Sequence, residues 1–153
     1  MKMLFTLGIA AAALGASGLA FGQGAGVSLK PDDIIAARQA GFDLQNGVFA
    51  AMKTAIDGGL DVKGLTAGAK GISAWGHSIP AMFPDGTQTG HNTKAKPEVW
   101  SDRAGFEKAA TNLVAAADKL AQLADANDKA GFAAQYTATG QACGGCHRPY
   151  RAQ

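Results

Sequence analysis

The residues whose types and spacing can do chemistry stand near the end of the chain, in the run Cys143-Gly144-Gly145-Cys146-His147. Two thiols separated by two residues, with an imidazole directly after, match the pattern by which haem c is attached to a polypeptide. The thiols add across the two vinyl groups of the macrocycle as thioethers, and His147 reaches the iron from the proximal side. Cys143 and His147 are four residues apart and share one helical face. Gly144 and Gly145 keep side chains away from the ring, at a cost in helix propensity. Other chemistries compete for the same residues. A short Cys143–Cys146 disulfide would leave His147 incidental. A dithiol redox pair belongs at the start of a helix that follows a strand, and no βαβ pattern surrounds this one. A zinc site would need a fourth ligand, such as His77 or His91.

A macrocycle needs elements to enclose it, and the apolar spacing predicts four helices. Pro31 suits a first helical position, and Asp32 and Asp33 favour the positive helix start. Ile35, Arg38, Phe42, Gln45, Phe49, Met52 and Ile56 then form a stripe at steps of three and four residues. Gly58-Gly59 ends this helix, which is expected over 31–57. A second, weaker helix carries Leu65, Ala69, Ile72, Gly76 and Ile79 and is ended or kinked by Pro80. Residues 83–96 read as a long loop. A third helix is expected from Pro97 to about Ala124, with Phe106, Leu113, Ala117, Leu120 and Ala124 on one side. Asn127 reads as the cap of a fourth, with Asp128 in its first turn. The fourth stripe is Phe132, Tyr136, Thr139, Cys143, Cys146 and Tyr150, and Pro149 should fray its end. The fold expected is all-α, an antiparallel four-helix bundle running up-down-up-down around a covalent haem c.

Two residues of the first stripe are polar, and Arg38 is charged. A charge in a core stripe needs a partner. A haem propionate would suit the arginine fork, and snorkelling at the stripe's edge is the alternative. Met52 and Met82 read as core fillers. A second face of helix one, Ile34, Gly41, Val48 and Ala55, recurs every seven residues; it could form a seam with a second copy, and wide core coverage around helix one is the alternative.

Composition narrows the function classes. Lys plus Arg number 14 against 12 Asp plus Glu, so no basic field for nucleic acid exists. Hydrophobic residues make up 47%, too many for a disordered chain. Much of that is Ala, which buries little area per residue, so an Ala-rich bundle gains from a large apolar group at its centre. Residues 1–22 read as a cleaved secretory signal: Met1-Lys2-Met3, an uncharged run from Leu4 to Leu19, then Ala20-Phe21-Gly22. Residues 23–153 are then the bundle domain, expected in the periplasm with no membrane insertion after cleavage.

Along about 28–151 the chain resembles the cytochromes c-prime, the class II cytochrome c family. The resemblance rests on Lys30-Pro31-Asp32-Asp33-Ile34, the pair Arg38-Gln39, and the turn Pro80-Ala81-Met82-Phe83-Pro84-Asp85-Gly86-Thr87. It continues in Pro97-Glu98-Val99-Trp100 and the tail from Cys143 to Arg151. One departure is Ala81 after Pro80, where many relatives carry Trp; here a Trp stands earlier, at Trp75. The resemblance implies a four-helix bundle, often a homodimer, with a five-coordinate high-spin iron bound by His147 alone. It places Phe42 over the distal side, Arg38 near a propionate and Arg151 close to the proximal imidazole. Gln39 joins the cofactor-binding set beside Arg38. The function so implied is a periplasmic haem protein that binds nitric oxide and can carry one electron, with a small redox protein as a further partner. A dedicated electron-transfer cytochrome with incidental gas binding is the alternative. No general acid or base can be placed over the iron, so the chain is not read as an enzyme.

Overall fold

The structure is a computed structural model and describes residues 29–153. The signal expected over residues 1–22 lies outside the described residues. Five helices follow: α1 Pro31–Asp57, α2 Thr66–Ser78, α3 Glu98–Ser101, α4 Arg103–Asp125 and α5 Lys129–Tyr150. Helices α1, α2, α4 and α5 form the all-α four-helix bundle that the apolar stripes predicted. Among the described residues there is no strand; one isolated bridge pairs Ala95 with Arg151.

Helix α1 starts and stops as its sequence dictates. Lys30 is extended and Pro31 opens the helix, followed by Asp32 and Asp33. At the other end Gly59 takes a φ of 62°, and the Leu60 N–H closes on the Ala55 carbonyl at 2.9 Å. That left-handed residue is the usual reason for a glycine after a helix. Helix α2 packs tightly on α4: a Cβ on Gly76 would come within 2.8 Å of the Val114 Cγ2. The core runs through Met52, Ile72, Phe106, Leu120 and Phe132, each at most 2% exposed.

Three local expectations need correction. The helix expected from Pro97 to Ala124 is broken at Asp102, which sits at φ −115° and ψ 56°. Its carboxylate accepts from the Gly105 N–H at 3.2 Å, so it ends α3 and caps α4. The cap of α5 is Asp128, accepting from the Gly131 N–H at 2.9 Å, not Asn127. Asn127 instead takes a φ of 52°, accepts from the Val62 N–H at 3.0 Å and donates to Asp61 at 3.1 Å. Pro149 does not fray α5. The helix continues to Tyr150, and the Arg151 N–H donates to the His147 carbonyl at 3.0 Å.

Helices α2 and α5 lie closely along α4, whereas α1 approaches its neighbours at few points. The seven-residue face expected as a seam with a second copy is covered within the chain. Gly41 lies against the Trp75 ring, Val48 packs at Gly68 of α2, and Ala55 is 7% exposed. The outward face of α1 is instead Ala37, Ala40, Leu44, Gly47 and Ala51. Leu44 is 73% exposed.

Candidate functional site

The last turns of α5 carry the motif. Above it, Tyr136 stacks on Phe49 of α1 with ring centroids 4.0 Å apart and planes 15° apart. Thr139 is fully buried and its hydroxyl donates to the Gln135 carbonyl at 2.8 Å. Cys143 and Cys146 are free thiols, half-buried against the core. Burial pushes the Cys143 thiol up, and burial with the neighbouring Cys143 pushes Cys146 up to about 11. Both therefore rest protonated near neutrality, unlike the lowered thiols of dithiol redox pairs. His147 stands exposed at the helix end. Partial burial of its ring, and then the charge of Arg151, lower its proton affinity. The neutral imidazole is the form with a lone pair for a metal. An open cleft of about 310 Å³ between α4 and α5 reaches the motif, lined by Gly145, Cys146 and Tyr150 with Gly105 and Asn112.

The chain after the motif is fastened to the long loop. The Lys96 N–H donates to the Tyr150 carbonyl at 3.0 Å, and the Ala152 N–H donates to the Lys94 carbonyl at 2.8 Å. The Tyr150 hydroxyl donates to Asp102 at 2.6 Å. These bonds hold Arg151 beside His147.

On α1, Arg38 is 2% exposed, so it does not snorkel. Its Nη1 donates to the Thr87 hydroxyl at 2.8 Å and the Met82 carbonyl at 3.2 Å. Its Nη2 donates to the Thr87 carbonyl and the Thr93 hydroxyl, both at 2.9 Å. The guanidinium lies over Phe83, 4.2 Å from the ring centre. Gln39 donates to the His91 carbonyl at 2.9 Å. Both residues thus bind the loop, a role that stripe spacing did not suggest. One turn on, Phe42 meets Trp75 edge-on at 5.7 Å and Phe83 at 6.4 Å.

The family model described as Cytochrome C' matches residues 33–151. The cytochrome c' of Rubrivivax gelatinosus is 37% identical over 124 residues, spanning 80% of this chain and 96% of its own. This chain belongs to the cytochrome c' family.

The crystal structure of the Rubrivivax cytochrome c' superposes with a TM-score of 0.73 at 37% identity, covering 80% of this chain and 98% of that one. A nitric oxide complex of a cytochrome c' variant from Alcaligenes xylosoxidans gives 0.74 at 29% identity, covering 82% and 98%. A cytochrome c' with an unusual ligand-controlled dimer dissociation gives 0.78 at 28% identity, covering 82% and 99%.

Cytochromes c' carry covalently attached haem c, and haem c is the cofactor of this chain. The residues present suit it. Two protonated thiols and a neutral-leaning imidazole share the end of α5, α1 stands off from its neighbours, and two buried nitrogens, Gln45 Nε2 and Trp75 Nε1, lack protein partners among the described residues. The disulfide reading fails because the thiols are free. The zinc reading lacks ligands: among the described residues no three His, Cys, Asp or Glu cluster as a metal site would need.

Several cytochrome c' residues here escaped the sequence. Thr87 is fully buried, yet as one polar residue in a turn it carried no signal beyond its place in the resemblance. Arg103 donates to the Phe83 and Pro80 carbonyls at 3.1 and 2.7 Å, which no local spacing reveals. Asp102 had a readable signal: Asp is among the residues favoured as a helix N-cap.

Proposed function

We propose that this chain is a periplasmic haem c protein with a high-spin, five-coordinate iron that binds nitric oxide and can pass one electron, rather than an enzyme. Cys143 and Cys146 hold the macrocycle as thioethers and His147 supplies the one protein ligand. When bound, the haem supplies an iron that takes up a diatomic ligand or an electron. What supports this reading is the donor set at the end of α5, together with the aromatic residue that α1 packs on Trp75 and Phe83. The end of α5 offers free protonated thiols and an imidazole disposed to stay neutral, and α1 offers the ring of Phe42. A phenyl ring has no lone pair, so it excludes water from its side without competing as a ligand. Wedged between Trp75 and Phe83, it yields only to a ligand that binds strongly. Arg151 adds positive charge beside His147, which disfavours a protonated imidazole.

Arg38 and Gln39 serve the cofactor through the loop they fasten, and Arg38 is a buried cation that pairs with no carboxylate among the described residues. A propionate close to it would balance that charge. The nitric oxide complex of the Alcaligenes relative supports the choice of ligand, and the secretory signal read in residues 1–22 supports the periplasm. A homodimer forms through the outward face of α1, centred on Leu44.

Absorption spectra of the purified ferric and ferrous protein, with and without nitric oxide, test the proposal. High-spin spectra that change on adding nitric oxide are expected. A six-coordinate low-spin spectrum without added ligand would overturn it, because a protein group would then occupy the position given to Phe42.

A further inference from the structure

The two partnerless nitrogens, Gln45 Nε2 and Trp75 Nε1, are buried donors on different helices that converge on one turn of α1. The indole of Trp75 lies on the backbone of Gly41, and its ring meets Phe42 edge-on. Gln45 is four residues beyond Gly41 and three beyond Phe42, so it continues that same side of the helix. It stands about 4.5 Å further along the axis than Phe42. Buried amides are normally satisfied, and an unpaired one is costly. Gln45 is also the one uncharged polar residue in the stripe of Ile35, Arg38, Phe42, Phe49, Met52 and Ile56.

Order along α1 says which acceptor it meets. Arg38 sits at the loop end, its two terminal nitrogens bonded to Met82, Thr87 and Thr93. Phe49 sits at the other end against Tyr136, two turns before Cys143 on α5. Gln45 lies between Phe42 and Phe49, away from the cationic end where a carboxylate belongs. What a ligand brings to that place is the outer atom of a small molecule taken up on the Phe42 side.

We infer that Gln45 is a specificity-determining residue whose amide donates a hydrogen bond to the outer atom of a diatomic ligand bound beside Phe42. This rests on the proposed function. The bond favours ligands whose outer atom gains negative charge, and so counters the indiscriminate exclusion that Phe42 imposes. Trp75 holds the ring of Phe42 in place on the other side.

The test uses the holoprotein in its ferrous form with carbon monoxide as probe. Gln45→Met keeps length and volume while removing the donor, and Gln45→Leu serves if the first variant does not fold. The infrared C–O stretch is recorded in H₂O and D₂O. The parent protein should show a solvent-deuterium shift. The variant should show a higher frequency, no such shift, and carbon monoxide release faster by roughly fivefold, the scale of one hydrogen bond. An unchanged frequency and isotope shift in the Gln45 variants overturns the inference, as does a change that appears only in Trp75→Phe, which would assign the donor to the indole. A preparation with no haem absorption overturns the proposed function itself. Haem absorption with an unmoved C–O band overturns this inference alone.

Discussion

Arg38 shows how much a single side chain organises here. Its four terminal hydrogen bonds join α1 to Met82 and to two residues of the loop, Thr87 and Thr93, and Phe83 stacks beneath it. Burial lowers its pKa, with no carboxylate among the described residues to offset the loss of hydration. Neutral acceptors alone can satisfy its N–H groups but leave its charge uncompensated. Replacing it by Met strands the Thr87 and Thr93 acceptors and frees the loop from α1. Arg38→Met should lose about 3 kcal/mol of stability, read as a lowered midpoint in urea, while covalent attachment at Cys143 and Cys146 persists. A midpoint equal to that of the parent would show that the guanidinium is dispensable.

At the scale of elements, the long loop is the joint between the two sides of the site. It is held to α1 by Arg38 and Gln39, to α4 by Arg103, and to the end of α5 through Lys94 and Lys96. Tyr150 and Asp102 close the joint. The bond to Asp102, then burial, then the negative charge of Asp102 push the Tyr150 hydroxyl from 10.0 up to about 12. A group whose pKa is raised on folding contributes fully below its unfolded value and loses that contribution as pH rises through the folded one. The Tyr150 latch should therefore weaken between pH 10 and about 12. Melting curves of Tyr150→Phe should lack that part of the alkaline decline and start from lower stability near neutrality. An identical decline in both proteins would place the alkaline transition elsewhere.

The loop is also where the sequence was least legible. Helices announce themselves through periodic apolar residues, so the limits of α1 and the buried stripes of α2, α4 and α5 could be read directly. The Cys143-to-His147 motif is contiguous and needed no tertiary knowledge. Contacts between residues 40 or more positions apart, such as Arg38 with Thr87, leave no trace in local spacing. The same limit explains the face of α1. Seven-residue steps marked Ile34, Gly41, Val48 and Ala55 as a seam, but spacing alone cannot say whether α2 or a second copy covers it. The break at Asp102 was missed for another reason: apolar residues continue on both sides, and only the side-chain cap interrupts them.

On the scale of the whole molecule, the exposed face of α1 bears on assembly. Ala37, Ala40, Gly47 and Ala51 are small enough to let a second helix approach, with Leu44 as the one large apolar group between them. Leu44→Asp would bury like charges against each other at a two-fold seam. Sedimentation at micromolar concentration should find the parent as a dimer and this variant as a monomer, with unchanged absorption spectra. A monomeric parent, or a dimeric variant, would remove α1 from the interface. The functional reading presupposes that the macrocycle is bonded to Cys143 and Cys146. The most direct measurement is the intact mass of the protein purified from the periplasm of a host with working haem maturation. The account predicts the signal-cleaved polypeptide plus one haem, with that increment retained after denaturation and lost in a Cys143→Ala, Cys146→Ala double variant. The bare polypeptide mass from the parent chain would contradict it.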